Sequence, residues 1–124
     1  MPNNLQVTLD KSTSPWRLDI DQNNGANQVN RSPVTQTITW QLMGDAASGS
    51  FDSLTWVEQP PAGIFGPPTL RTSGNQITVT DLNKNASTAG TWNYQLSATI
   101  DGTTYASDVV SIGGTTTTPW IKNN

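Results

Sequence analysis

The stretch that decides the fold is "AGTWNYQLSATIDGTTYASD", residues 89–108. Apolar side chains occupy alternate positions in its first half, namely Trp92, Tyr94, Leu96, Ala98 and Ile100, and Asn93, Gln95, Ser97 and Thr99 stand between them. Because successive side chains of a strand point to opposite faces, this alternation predicts a half-buried strand with the apolar set inward. Asp101-Gly102 then precedes a second β-rich run, which is typical of a two-residue hairpin whose central residues take positive φ. The stretch therefore predicts an antiparallel hairpin with one buried face.

The same alternation along the rest of the chain predicts an all-β protein. Strands are expected over residues 5–10, 16–21, 34–43, 51–58, 76–82, 91–100 and 103–112. No segment repeats apolar residues at helical spacing over three turns, so helix is expected to be almost absent. Seven short strands separated by turn residues predict two antiparallel sheets packed face to face, with Trp40 and Trp56 in the core. We expect one sandwich domain over residues 1–112, followed by a Thr-rich C-terminal tail over residues 113–124.

Two parts of the sequence resemble known β-sandwich proteins. Trp40 stands on the third predicted strand, and Gly90-Thr91-Trp92-Asn93-Tyr94 resembles the "G-T-Y-x-Y" run through which bacterial immunoglobulin-like domains enter their sixth strand. The segments "SGNQITVTDLN" and "YQLSATIDGTTYASD" are also similar to the small bacterial proteins of the DP-EP group. The resemblance implies an immunoglobulin-like sandwich of about seven strands with no assigned activity. The chain has no cysteine, so the disulfide of that fold is missing: Leu18 or Ile20, and Tyr94 or Leu96, occupy the expected positions.

The composition argues against several classes of function. The 124 residues include no histidine and no cysteine, so a Ser-His-Asp or Cys-His triad and a thiolate metal site are impossible within this chain. We therefore expect a protein that is not an enzyme and that holds no cofactor. The net charge is −3 and the six basic residues are scattered singly, which argues against nucleic-acid binding. No apolar run approaches the ~20 residues of a membrane-spanning helix, and the first residues lack the pattern of a secretory signal, so neither is expected.

The leading functional hypothesis is a protein-interaction or structural module that acts through its loops and edge strands. The loop "PPAGIFGPP", residues 60–68, carries four prolines that stiffen it, with Ile64 and Phe65 at its tip. This tip is either a hydrophobic contact for a protein partner or second copy of the chain, or a plug in which Phe65 closes one end of the sandwich. Trp120 either pins the tail to the sandwich or contacts a partner. Edge strands with few lysines also favour self-association.

Two other kinds of ligand stay open. Five Trp together with many Asn, Gln and Thr provide the stacking faces and hydrogen-bonding groups that a carbohydrate needs, provided that at least two Trp are exposed and coplanar. Asp19, Asp21 and Asn23 alternate as oxygen ligands do at the start of a calcium loop, and Asp81 or Asn83 is a candidate to complete such a site. An EF-hand is excluded because Asn30 stands where a bidentate glutamate is needed.

Overall fold

The computed structural model describes residues 3–12, 16–21, 27–72, 74–107, 111–112, 115–116 and 119–124. Twelve strands lie in these residues. They are β1 Asn3–Asp10, β2 Arg17–Ile20, β3 Gln28–Val29, β4 Gln36–Leu42, β5 Ser50–Trp56, β6 Thr69–Leu70, β7 Gln76–Asp81, β8 Gly90–Ile100, β9 Thr103–Ala106, β10 Ser111–Ile112, β11 Thr115–Thr116 and β12 Trp120–Asn123. The helical segments among the described residues are two short 3₁₀ turns, Gly44–Ala46 and Ala86–Thr88. The all-β prediction is confirmed.

The strands form two five-stranded sheets with mixed pairing. The first has the order β2-β1-β4-β7-β6, and the second has the order β3-β12-β8-β5, with β9 also paired to β8. Pairing is parallel between β1 and β4 and between β3 and β12, and β10 and β11 form a separate two-stranded ribbon. A sandwich-like architecture is thus confirmed, but the expectation of seven strands and of purely antiparallel sheets is wrong. The additional strands are only two to four residues long, too short for alternation to reveal them.

The core lies between the two sheets and follows the predicted period of two. In β4 the buried residues are Ile38, Trp40 and Leu42, and in β8 they are Tyr94, Leu96, Ala98 and Ile100. Trp40 lies on the fourth strand rather than the third, because β3 is a short strand that the sequence pattern does not show.

The hairpin of the quoted stretch has the predicted geometry. β8 and β9 pair antiparallel from Ile100 opposite Thr103 outward, and Asp101 and Gly102 have φ of 51° and 82°. Both central residues therefore take the positive φ that a type I′ turn requires.

A buried aromatic pair joins the two sheets. The Trp40 Nε1–H donates a hydrogen bond of 2.8 Å to the Tyr94 hydroxyl, and the two rings meet edge to face at 5.2 Å. Both side chains are 0% exposed, and burial raises the pKa of Tyr94, so the hydroxyl stays neutral. The pair fills the centre of the core and satisfies the polar atoms of both rings.

The last residues of the chain are not a tail. Trp120–Asn123 forms β12, which lies between β8 and β3, and Ile121 within it is 0% exposed. The predicted domain boundary at residue 112 is therefore wrong, since the sandwich includes residues 120–123. β12 pairs with residues 28–29 and 90–93, which are distant in the sequence. A local sequence pattern therefore cannot predict this pairing.

Candidate functional site

The register of β12 against β8 decides which side chains face outward. Trp120 lies opposite Asn93, and Lys122 lies opposite Thr91. Directly opposed residues share a face of the sheet, so these four side chains lie on the same side. The residue between them, Ile121, is fully buried, which makes this the outer face of the sandwich.

Trp120, Asn93, Thr91 and Lys122 line an open hollow of about 360 Å³ on this outer face. Trp120 and Asn93 are half-buried, whereas Thr91 and Lys122 are exposed. The hollow thus combines one large aromatic ring with an amide, a hydroxyl and an ammonium group. We call this surface the Trp120 hollow.

Backbone and side-chain hydrogen bonds hold β12 in place beside its neighbouring strands. The Pro119 carbonyl accepts from the Tyr94 amide N–H at 3.1 Å and from Asn93 Nδ2 at 3.4 Å. Further along, the Lys122 amide N–H donates to the Asn27 carbonyl at 2.9 Å. The strand that carries Trp120 is therefore bonded to neighbours on both sides.

A buried polar network fixes β12 from the inner side. Asn123 Nδ2 donates to Asp81 Oδ1 and to the Thr88 carbonyl, both at 2.9 Å. Thr88 Oγ1 donates to Asn83 Oδ1 at 3.1 Å, and Asn83 Nδ2 donates to the Val29 carbonyl of β3 at 2.9 Å. The network links β7, the Ala86–Thr88 turn and β3 to the strand that carries Trp120.

Asp81 is the most perturbed carboxyl group in the described part of the chain. It is 0% exposed, and its Oδ2 atom is buried with no hydrogen-bond partner among the described residues. Burial raises its pKa to about 6, and the hydrogen bond from Asn123 offsets only part of that effect. The sequence contained a signal for this residue, because Asp81 is in phase with the buried Ile77 and Val79.

The proline-rich loop folds back on the sandwich. Ile64, one of the predicted partner-binding residues, is only 5% exposed, and its carbonyl accepts from the Leu82 amide N–H at 2.8 Å. Phe65 is half-buried, with its ring 4.6 Å from that of Trp56 and 5.3 Å from that of Trp92. This packing corresponds to the plug interpretation of Phe65. The predicted role of Ile64 as an exposed partner contact does not fit its burial.

The folded loop creates a second surface feature. A cleft of about 310 Å³ lies between the loop and the end of β5. Its lining consists of Trp56, Gln59, Pro60, Pro61, Ala62, Phe65, Gly66, Pro67 and Pro68. The sequence indicated the loop, with its tip as either a partner contact or a plug, but no pattern in it indicated this cleft.

The Trp side chains other than Trp120 do not form a flat surface of coplanar rings, which the carbohydrate hypothesis required. Trp56, Phe65 and Trp92 meet at 38° and 84°, so their rings are not coplanar. Trp16 is 42% exposed and stacks on Tyr105 at 6.2 Å, while Lys11 Nζ lies 5.0 Å from the Trp16 ring. The pair of coplanar, exposed Trp rings that the carbohydrate hypothesis required is therefore not formed by these side chains.

The predicted calcium ligands are only partly within the described residues. Asp19 is exposed on β2 and Asp21 follows that strand, whereas Asn23 lies outside the described residues. Asp81 and Asn83, the candidates to complete the site, are hydrogen-bonded in the network beneath β12. No group of three or more His, Cys, Asp or Glu that could hold a metal ion occurs in the part of the chain that the structure describes. Calcium binding stays a prediction.

Comparisons with known proteins give no relative from which to transfer a function. No protein family matches the chain, and no curated protein is significantly similar to it. Within the described residues, no helix has the length and apolar character needed to cross a membrane.

Proposed function

We propose that this chain is a non-catalytic binding domain, that the Trp120 hollow is its binding site, and that its ligand is a carbohydrate. The observation that carries the proposal is the grouping of Trp120, Asn93, Thr91 and Lys122 around one open hollow. A pyranose ring has an apolar C–H face and a rim of hydroxyl groups. The Trp120 ring suits the apolar face, and the amide, hydroxyl and ammonium groups suit the hydroxyl rim.

The Trp120 hollow is also pre-ordered for binding. All four lining residues belong to paired strands, and β12 is held by the Pro119 carbonyl on one side and by the Asn123 network on the other. A site on rigid strands loses little conformational entropy when a ligand binds, which suits a weakly interacting ligand such as a sugar.

Binding of a protein partner is our second proposal. The cleft beside Trp56 supports it, because its prolines and aromatic rings provide a stiff apolar surface. Self-association by pairing of edge strands has less support, because two edge strands already make additional backbone contacts. Leu18 of β2 bridges to Ser107, and the Phe51 amide N–H of β5 donates to the Gly74 carbonyl. Light scattering over a range of concentrations tests self-association, and a strict monomer at high concentration counts against it.

We further propose that the sandwich is immunoglobulin-like. The neighbours β4-β7-β6 in one sheet and β5-β8-β9 in the other correspond to strands B-E-D and C-F-G of that fold. In this assignment Trp40 and Tyr94 lie on the two strands that a disulfide joins in antibody domains, and their hydrogen bond links the sheets instead. The parallel pairing of β1 with β4 is a departure from the antiparallel pattern.

Binding of purified protein to a panel of soluble polysaccharides, measured by isothermal titration calorimetry, tests the carbohydrate proposal. Trp120→Ala is expected to weaken binding at least tenfold because the stacking surface is lost. Trp16→Ala is the matched control, since it removes an exposed Trp that precedes β2 and lies outside the Trp120 hollow. Asn93→Ala provides a second variant within the Trp120 hollow, and thermal unfolding verifies that each variant is folded. Equal binding by Trp120→Ala and wild type, or no binding to any polysaccharide, would contradict the proposal.

A further inference from the structure

We infer that the carbohydrate bound at the Trp120 hollow is acidic, with a carboxylate that pairs with Lys122; this inference rests on the proposed carbohydrate function. Among the described residues that line the Trp120 hollow, Lys122 is the charged one, and it stands beside Trp120, Asn93 and Thr91. The site therefore presents a positive charge beside an aromatic ring, and its described lining residues include no carboxylate.

The neighbours of Lys122 leave its charge uncompensated within the sheet. Lys122 lies opposite Thr91 of β8 on one side and pairs with Gln28 of β3 on the other, and both are neutral. The ion pairs among the described residues are Lys11 with Asp45 and Arg17 with Asp10, so Lys122 belongs to neither. An exposed ammonium group in a hollow with hydrogen-bonding neighbours is suited to an anionic ligand.

The spacing of Trp120 and Lys122 suits a uronic acid. Residues two apart on a strand point to the same face about 7 Å apart, which is comparable to the width of one sugar ring with its substituents. A sugar stacked on Trp120 thus places a carboxylate within reach of the flexible Lys122 side chain. The net charge of −3 opposes anions at long range, but charges further than about 8 Å are largely screened at physiological salt.

The test compares acidic polysaccharides with neutral forms of the same chains. Pectate, alginate and hyaluronate are each titrated beside their carboxyl-reduced forms, so that the charge changes while the sugar rings stay. Wild type is expected to bind at least one acidic form two- to fivefold more tightly than its reduced form, the range of an exposed ion pair. Lys122→Gln is expected to abolish that preference and retain binding of the reduced form. Lys84→Gln, which removes an exposed lysine outside the Trp120 hollow, is expected to retain the preference.

The outcomes separate this inference from the proposed function. If neutral or reduced chains bind as tightly as acidic ones, or if Lys122→Gln keeps the preference, the inference is overturned while carbohydrate binding at Trp120 stands. If neither acidic nor neutral polysaccharides bind, both fail.

Discussion

Burial of Asp81 predicts that the protein gains stability as the pH falls from 7 towards 4. The carboxyl group is fully buried, and burial raises its pKa from 3.8 to about 6. The native state consequently binds the proton more tightly than the unfolded state does. The contribution of Asp81 to stability is therefore fully present below pH 4 and is lost as the pH rises through about 6.

The magnitude follows from the pKa change. A rise of the pKa from 3.8 to about 6 corresponds to a decrease of about 2.5 kcal/mol in the free energy of unfolding between pH 4 and pH 7. Two other carboxyl groups act in the opposite direction at lower pH. Hydrogen bonds from Ser12, with a smaller contribution from Arg17, lower the pKa of Asp10, and Lys11 lowers that of Asp45. Their contributions are lost as the pH falls below about 4, so maximum stability is expected near pH 4 to 5.

Urea unfolding followed by Trp fluorescence at pH 4, 5, 6 and 7 measures this effect. Asp81→Asn keeps an oxygen that accepts from Asn123 and removes the ionisable group, so the decrease between pH 4 and 7 should disappear in this variant. The decisive quantity is the slope of the free energy of unfolding against pH. The new amide brings N–H donors into a buried position and therefore changes the absolute stability at every pH. Asp19→Asn is the control, since it changes the net charge equally at an exposed position. Parallel pH profiles for Asp81→Asn and wild type would refute the reasoning.

Three further substitutions test the packing. Tyr94→Phe leaves the Trp40 Nε1–H without its acceptor in the core and is expected to lower the free energy of unfolding by about 1–3 kcal/mol; an unchanged urea midpoint would contradict the role of that bond. Phe65→Ala removes a half-buried ring that packs on Trp92 and is expected to cost about 2–3 kcal/mol; an unchanged melting temperature would favour a partner contact over a plug. Gly90→Ala places a Cβ 2.9 Å from the Trp92 ring at a φ of 152° and is expected to cost at least about 1 kcal/mol by thermal unfolding. Wild-type stability in that variant would show that the Trp92 ring can move aside.

Features that depend on neighbouring residues were predictable from the sequence. The β8–β9 hairpin was predicted because its alternation and its Asp101-Gly102 turn are both local. The long strand β4 was predicted for the same reason, with Ile38, Trp40 and Leu42 on its buried face. Such strands can be predicted without knowing the partner strand, because the alternation of apolar and polar residues alone identifies the buried face.

Features that depend on distant residues were not predictable. β12 is four residues long, and its stability comes from pairing with β8 and β3 rather than from its own pattern. Trp120 was expected either to pin the tail or to contact a partner, and Asn93 was expected on the polar face of its strand with no link to Trp120. The Trp120 hollow exists only because this register brings residues 27 to 31 positions apart to the same face.

The buried network and the Trp120 hollow are two consequences of one register. A shift of β12 by one residue would turn Ile121 outward and Lys122 inward, because side chains alternate between faces. It would also move the Asn123 amide away from Asp81 and leave that carboxylate without its donor. The buried carboxylate of Asp81 lowers the stability of the fold at neutral pH. A shifted register would be less stable still, because the carboxylate would also lose the hydrogen bond from Asn123. Asp81 thus disfavours the shifted register, in which Trp120 would leave the outer face. The residue that lowers stability at neutral pH also favours the register that forms the Trp120 hollow.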